Sequence, residues 1–303
     1  MLDVHQLRVF AAVAENLSFT KAADRLFLTQ SAVSHQIARL ELEIGCALFE
    51  RIGRTVVLTA AGHEMVHRSR KVFVAVEEAK TATRFAGKPN TGRLRIGASS
   101  TACQYIIPEA LREFRECFPG YTLTIIPGDS PVTAERLLAG EIDLGLMVRL
   151  ERQKKLTYHE LFEDELKFMV SPLHPWAKAG KVDRRQLSQQ HLILYSRASA
   201  LFKLVERYLL KMQTPIRDWI ELGDMGAIKE LVKLGLGVSV TAEWTARPEL
   251  AAKSIVLLPS PGAKMNRTWC IAAGASRELS LAEQTFIGLC QAVAKELQRK
   301  KNG

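Results

Sequence analysis

The chain has 303 residues, 47% of them hydrophobic, and a formal net charge of +10. That length suits two or three domains with a good core, and the basic balance suits a polyanionic partner. A secreted or membrane-embedded product is disfavoured. The start MLDVHQLRVFAAVAEN carries Asp3, Arg8 and Glu15 where a leader would be apolar, and no apolar run nears the roughly 20 residues of a membrane helix.

Leu7, Phe10, Ala11, Ala14 and Leu17 recur at helical spacing and predict an amphipathic first helix. Ser18 is a cap for a second helix, Phe19 to Phe27, whose small Ala22 and Ala23 let a neighbouring helix approach. Thr29 caps a third helix that starts at Gln30, buries Val33, Ile37, Leu40 and Ile44, and stops at Gly45. Two short helices around a tight turn form a helix-turn-helix. The face opposite Val33 and Ile37 carries Gln30, Ser31, Ser34, His35 and Arg39. Pattern alone leaves two readings of that face open: a surface that reads base edges and phosphates, or a solvated side of an ordinary three-helix domain. Beyond it, Leu48 and Phe49 read as core, Arg51 and Arg54 flank Gly53, and TVVLT reads as a strand. That is a wing whose arginines would meet the phosphate backbone or minor groove.

The run LSFTKAADRLFLTQSAVSHQIARLELEIGCALFERIGRTVVLTAAG resembles the DNA-binding region of LysR-type transcriptional regulators, matching the family frame from "AA..L..TQSAVSHQI" to "LT.AG". The resemblance extends more weakly to the end of the chain. It implies that Gln30, Ser31, Ser34 and His35 face the major groove. It also implies that Thr29, Arg51 and Arg54 contact phosphate or support such contacts, and that Arg39 is a further phosphate contact.

Thr59 caps a long helix expected from about 62 to 86. Its HEMVH, His63 to His67, has the spacing of a zinc hydrolase motif. A catalytic zinc needs a third ligand from elsewhere, and Glu77 and Glu78 lie several turns along the same helix. Met65, Val66, Val72, Phe73, Val76, Ala79 and Ala86 form an apolar stripe, so the helix reads as a packing seam and the motif as a coincidence. In the family this helix pairs with its counterpart in a second subunit, which matches two winged helices to a dyad-symmetric DNA site.

AGKPNTG (86–92) reads as a hinge. After it, strands (Leu94–Ala98, Leu123–Ile126, Leu144–Val148) alternate with helices (Pro108–Cys117, Pro131–Ala139). A second set has strands Leu166–Val170, Leu192–Tyr195 and Val238–Thr241 with helices Leu201–Leu210 and Met225–Leu234. Strand Trp269–Ala273 and helix Leu281–Arg299 return to the first set. This is an α/β pattern with parallel βαβ units. Two lobes joined by crossing chain resemble the type 2 periplasmic-binding-protein fold, the sensor of LysR-type regulators, and LLAGEIDLGL (137–146) is a family-like stretch. The expected division is 1–61 for the winged helix-turn-helix and 62–87 for the linker and dimerisation helix. The effector-binding domain is expected over 93–303, with lobe I at about 93–165 and 268–303 and lobe II at about 166–267.

Enzyme motifs do not fit. Gly235 and Gly237 follow a helix and precede a strand, the reverse of a dinucleotide site, and neither a P-loop nor a Gly-x-Ser-x-Gly is present. Histidines 159, 174 and 191 show no triad logic. No catalytic residue, metal or cofactor is expected. Polar loops precede four helices: Ser99-Ser100-Thr101, Gly128-Asp129-Ser130, Ser196-Arg197-Ala198-Ser199 and Gly223-Asp224. If they converge, they form a cleft for a small anion, most simply a carboxylate, with Ser99, Ser100, Thr101, Ser130, Ser196, Ser199 and Asp224 as its residues. Arg149 or Arg197 would add positive charge to such a cleft, against the plainer reading of each alone as an exposed loop residue. The resemblance also places an effector cleft at Ser99, Ser100, Thr101 and Ser130.

The five cysteines (46, 103, 117, 270, 290) include no Cys-x-x-Cys, as in a reducing cytoplasm. Cys103 reads as a core thiol. Peroxide sensing in this family uses a cysteine pair in the second lobe, and residues 167–259 contain none. The expected partners are double-stranded promoter DNA, a small anionic effector, further copies of the chain as a homodimer or homotetramer, and RNA polymerase. The rival readings are a metal hydrolase built on HEMVH and a solute-binding protein serving a transporter.

Overall fold

The computed structural model describes residues 2–53, 55–85, 91–151, 153–214, 216, 219–275 and 277–299. Arg54, Ala86 and residues 87–90 of the expected hinge lie outside them. The chain divides into two units, one built on residues 1–87 and one on residues 88–138 and 142–303.

In the first unit, α1 (Val4–Asn16) opens on a capping box between Asp3 and Gln6, and it buries Leu7, Val9, Phe10 and Val13. Leu17, expected on its apolar face, is instead the left-handed C-cap at φ 46° and is exposed. The second helix, α2 (Phe19–Leu26), is capped by Ser18 and buries Ala22 and Ala23. α3 (Gln30–Ile44) is capped by Thr29, buries Val33, Ile37 and Leu40, and ends at Gly45 with φ 82°. Small alanines on α2 let these helices share one core with Phe10, Val13 and Leu48.

Strands β1 (Phe49–Ile52) and β2 (Thr55–Leu58) pair antiparallel as the wing. Next comes α4 (Ala60–Phe85), whose Met65 and Val66 pack on the helical core. Phe73 and Val76 are half-buried, whereas Val72 and Ala79 are exposed. At Gly62 a Cβ would lie 2.1 Å from the Leu48 carbonyl oxygen, so only glycine lets α4 start against the wing.

The second unit begins with β3 (Thr91–Ala98), α5 (Ser100–Tyr105), α6 (Ile107–Cys117), β4 (Gly120–Pro127), α7 (Ser130–Ala139) and β5 (Leu144–Val148). β6 (Leu156–Val170), α8 (Pro175–Ala179), β7 (Leu192–Tyr195), α9 (Ala200–Lys211), β8 (Trp219–Leu222) and α10 (Met225–Lys233) follow. The chain continues through β9 (Ser239–Ala242), α11 (Arg247–Ala251), β10 (Val256–Leu258), β11 (Met265–Gly274) and α12 (Leu281–Arg299). Among the described residues no helix is long and apolar enough to cross a membrane.

The main sheet has the order β10-β6-β11-β5-β3-β4, with β9 also on β6. Parallel pairing holds for β3 with β4 and β5, and for β7 with β8. The expectation of βαβ units alone needs correction: β11 pairs antiparallel with β5 and β6, and β9 and β10 pair antiparallel with β6. The expected strand Leu166–Val170 is the apolar end of β6, whose earlier residues include Glu160, Glu163, Asp164 and Glu165. Those acids hid the strand, and with it the ladder to β11 that joins the two halves of the unit into one sheet. Strands β8 and β10 and helices α5, α8 and α11 were also not anticipated.

Candidate functional site

On α3 the inner face is sealed and the outer face is polar. Gln30, Ser31, His35 and Arg39 are exposed and Ser34 is half-buried. Thr29 accepts from the Ala32 N–H at 3.2 Å, and its hydroxyl lies 3.1 Å from that of Ser31. Gln30 Nε2 donates to Ser34 Oγ at 2.9 Å, which pre-positions both side chains one turn apart. The wing packs on the first two helices through Phe49, whose ring meets those of Phe10 and Phe19. Arg51 is exposed, with its guanidinium 6.0 Å from the Phe19 ring centroid. Sequence reasoning missed Glu41. Its Oε1 accepts from the backbone N–H groups of Leu48 at 2.7 Å and Phe49 at 3.2 Å, tying the wing to the helix that bears the polar face.

His63, Glu64 and His67 sit exposed on α4. Arg68 Nε donates to Glu64 Oε1 at 2.7 Å and holds that carboxyl below its ordinary pKa. Among the described residues no three His, Cys, Asp or Glu side chains come together as metal ligands. Elsewhere, His174 caps α8 by accepting from the Trp176 N–H.

In the second unit an inner chamber of about 40 Å³ is lined by Ser99, Thr101, Asp129, Ser130, Tyr195, Arg267 and Trp269, with apolar residues that include Val148 and Leu201. The expected residues Ser99, Thr101 and Ser130 therefore share one wall. Ser99 Oγ accepts from the Ala102 N–H as the cap of α5, and Ser130 Oγ accepts from the Val148 N–H at 3.0 Å. Ser100 reaches the chamber through Tyr195, their hydroxyls 2.7 Å apart.

Besides Ser100, three more of the expected residues are not on that wall. Ser199 is buried and caps α9 by accepting from the Phe202 N–H at 3.0 Å; Ala200 and Leu201 line the chamber in its place. Asp224 caps α10 by accepting from the Ala227 N–H at 2.9 Å, and Met225 lines the chamber. Ser196 is half-buried and lies off the wall. The N-cap chemistry that drew attention to Ser199 and Asp224 occupies their side chains.

An outer chamber of about 620 Å³ shares Val148, Ala200, Leu201 and Arg267 with the inner one. It is also lined by Arg149, Glu151, Lys203, Glu206 and Arg207. Arg149 pairs with Glu160, and Arg207 pairs with Glu151 at 3.0 Å. Arg197 lies off both walls, 5.9 Å from the Trp219 ring centroid.

Burial pushes the Asp129 carboxyl and the Tyr195 phenol above their ordinary pKa values. It also raises the Cys103 thiol, pushes Cys270 up to about 12, and raises Cys290. Burial thus disfavours the thiolate form of all three.

A three-helix domain with a polar third helix and a wing, together with an α/β unit that holds a polar cleft, defines a DNA-binding protein with a ligand-sensing domain. Residues 4–63 match the family described as "Bacterial regulatory helix-turn-helix protein, lysR family", and residues 87–295 match "LysR substrate binding domain". The chain is 30% identical over 284 residues to the HTH-type transcriptional activator CmpR of a Synechocystis strain, covering 94% of this chain and 93% of that one. It is 32% identical over 292 residues to the RuBisCO operon transcriptional regulator of Allochromatium vinosum, covering 93% and 96%. Full-length CbnR, solved as a complex with its target DNA, superposes with a TM-score of 0.69 at 23% identity, covering 96% of this chain and all of that one. The chain therefore belongs to the LysR family of DNA-binding transcriptional regulators with an effector-binding domain.

Proposed function

We propose that this regulator reads a dyad-symmetric promoter through the outer face of α3. Gln30, Ser31, Ser34 and His35 meet base edges; Thr29, Arg39, Arg51 and Arg54 serve the phosphates. Two copies pair through α4, whose half-buried Phe73 and Val76 and exposed Val72 form an apolar stripe, and two such pairs join as a tetramer. Residues 1–61, 62–87 and 93–303 act as reader, coupler and sensor. The sensor binds a small anion in its cleft, and because the ligand favours one arrangement of the oligomer, it alters access of RNA polymerase in the cytoplasm.

The observation that carries the sensing reading is the inner chamber, where the hydroxyl-bearing Ser99, Thr101 and Ser130 line one space with Tyr195 and Arg267. A thermal-shift screen of carboxylates and phosphorylated metabolites against the full chain tests it. A ligand at a hundred times its dissociation constant stabilises the native state by about 2.7 kcal/mol. A hit whose affinity is unchanged by Thr101→Val contradicts the assignment of the cleft.

A further inference from the structure

Arg267 is the one basic side chain on the inner wall, and it also lies on the outer wall. Its neighbours hold it still. Nε and Nη2 donate to the two oxygens of Asp164 at 2.7 and 2.8 Å, across the β6–β11 ladder in which the two residues are register partners. The Asp164 carboxylate also accepts from the indole N–H groups of Trp244 at 2.7 Å and Trp269 at 3.0 Å. The guanidinium lies over the Trp269 ring, 5.1 Å from its centroid, and only 10% of the Arg267 side chain is exposed.

A guanidinium has five N–H donors, and this arrangement uses one edge of it. Among the described residues no acceptor meets Nη1. Nη1 is also absent from the polar atoms that are sealed without a partner, so it borders open space. Arg267 lines both chambers, which are the open space described beside it. A donor edge fixed in place by a carboxylate and two indoles loses little entropy when an anion arrives, which is how a strong anion contact is built.

We propose that Arg267 is the anion anchor of the effector cleft, holding a carboxylate or phosphoryl head group on its Nη1 edge at the junction of the two chambers. The inference rests on the cleft reading above and names the chemistry of that site. The inner chamber is small enough to take only a head group, with the Thr101 hydroxyl on its wall and Asp129 as its acidic member. Asp129 favours a hydroxyl or ammonium donor beside the anion, so the ligand is a hydroxylated or aminated anion. Its remaining body extends into the outer chamber under α9. That chamber is lined by Arg149, Lys203, Arg207 and Arg267 against Glu151 and Glu206, four cations to two anions. Lys203 makes no ion pair among the described residues and is exposed, so it is available to a second anionic group.

The test titrates the full chain with inorganic phosphate, sulfate and short hydroxy- and amino-carboxylates against chloride at matched ionic strength. The readouts are tryptophan fluorescence, to which Trp269 contributes, and amide exchange over Ser99–Thr101. Arg267→Gln alone strands Asp164, so Asp164→Asn/Arg267→Gln, which keeps both shapes without charge, and Arg267→Lys are measured beside it. Circular dichroism checks that each variant folds. The expected result is saturable binding by at least one probe, weakened at least about tenfold in the neutral double variant and partly retained in Arg267→Lys. The same probe should bind more weakly to Thr101→Val and protect Ser99–Thr101. Binding that protects those amides but is unchanged in the double variant overturns the anchor and keeps the cleft. Binding lost in the double variant but without protection there, and unchanged in Thr101→Val, overturns the cleft reading. No saturable response to any probe overturns the anchor.

Discussion

Replacing Glu41 by alanine separates the wing from the helix beside it. Glu41 Oε1 accepts two partly buried backbone N–H groups, from Leu48 at 2.7 Å and Phe49 at 3.2 Å. Hydrogen bonds to a charged acceptor contribute about 1.5–3 kcal/mol each. The second bond is longer and both are partly solvated, so the pair contributes about 2–3 kcal/mol. At about 1.4 kcal/mol per tenfold, amide exchange at Leu48 and Phe49 should accelerate by roughly 30- to 150-fold in Glu41→Ala. Glu41→Gln keeps an acceptor oxygen and should lose about half as much. Because the same strand carries Arg51, Glu41→Ala should also weaken binding to all duplexes and flatten the salt dependence. Equal exchange at both amides in Glu41→Ala and the parent protein would refute the reasoning.

Gly62→Ala places a methyl group 2.1 Å from the Leu48 carbonyl oxygen and 2.9 Å from Leu58 Cδ2. Urea denaturation should show a loss of roughly 1–3 kcal/mol, as in overpacked cores. Glu249→Gln removes the counter-ion 2.6 Å from Lys229 Nζ, a group 5% exposed that also donates to Thr245 O. A loss of about 3–5 kcal/mol should follow, while the double change to Lys229→Met/Glu249→Leu should cost less than the single one. Asp129 has its pKa raised by burial, so its charged form opposes folding. The stability it contributes is present below the unfolded carboxylate pKa and disappears as pH rises through the folded one. Asp129→Asn should therefore raise the ligand-free melting temperature at neutral pH, with the gain fading on acidification.

The sequence-level reading succeeded where one local rule decides. Ser18 and Thr29 announce their helices because a hydroxyl before an apolar period satisfies free N–H groups, and Leu192–Tyr195 and Leu144–Val148 are apolar runs with no competing pattern. It faltered where long-range pairing decides. The amino-terminal part of β6 is rich in charge, and only its partner β11 makes it a strand. Ser199 and Asp224 stand at helix starts, the position that commits their side chains to capping. Ser99 also caps, yet it lines the chamber, a distinction set by lobe geometry. Arg267 sits mid-strand in MNRTWC, and its value as a donor depends on Asp164, a residue 103 positions away. Glu41 looks like one more exposed acid of α3 until the wing folds back onto it.

The central claim is that the outer face of α3 reads bases. It is tested most directly by selecting duplexes from a random pool with the full chain at fixed salt, then repeating the selection with Ser34→Ala and His35→Ala. The parent protein should enrich a dyad-symmetric site, and each variant should lose about 1–3 kcal/mol of discrimination against scrambled duplex. Enrichment of the same site with undiminished discrimination by both variants would contradict the account.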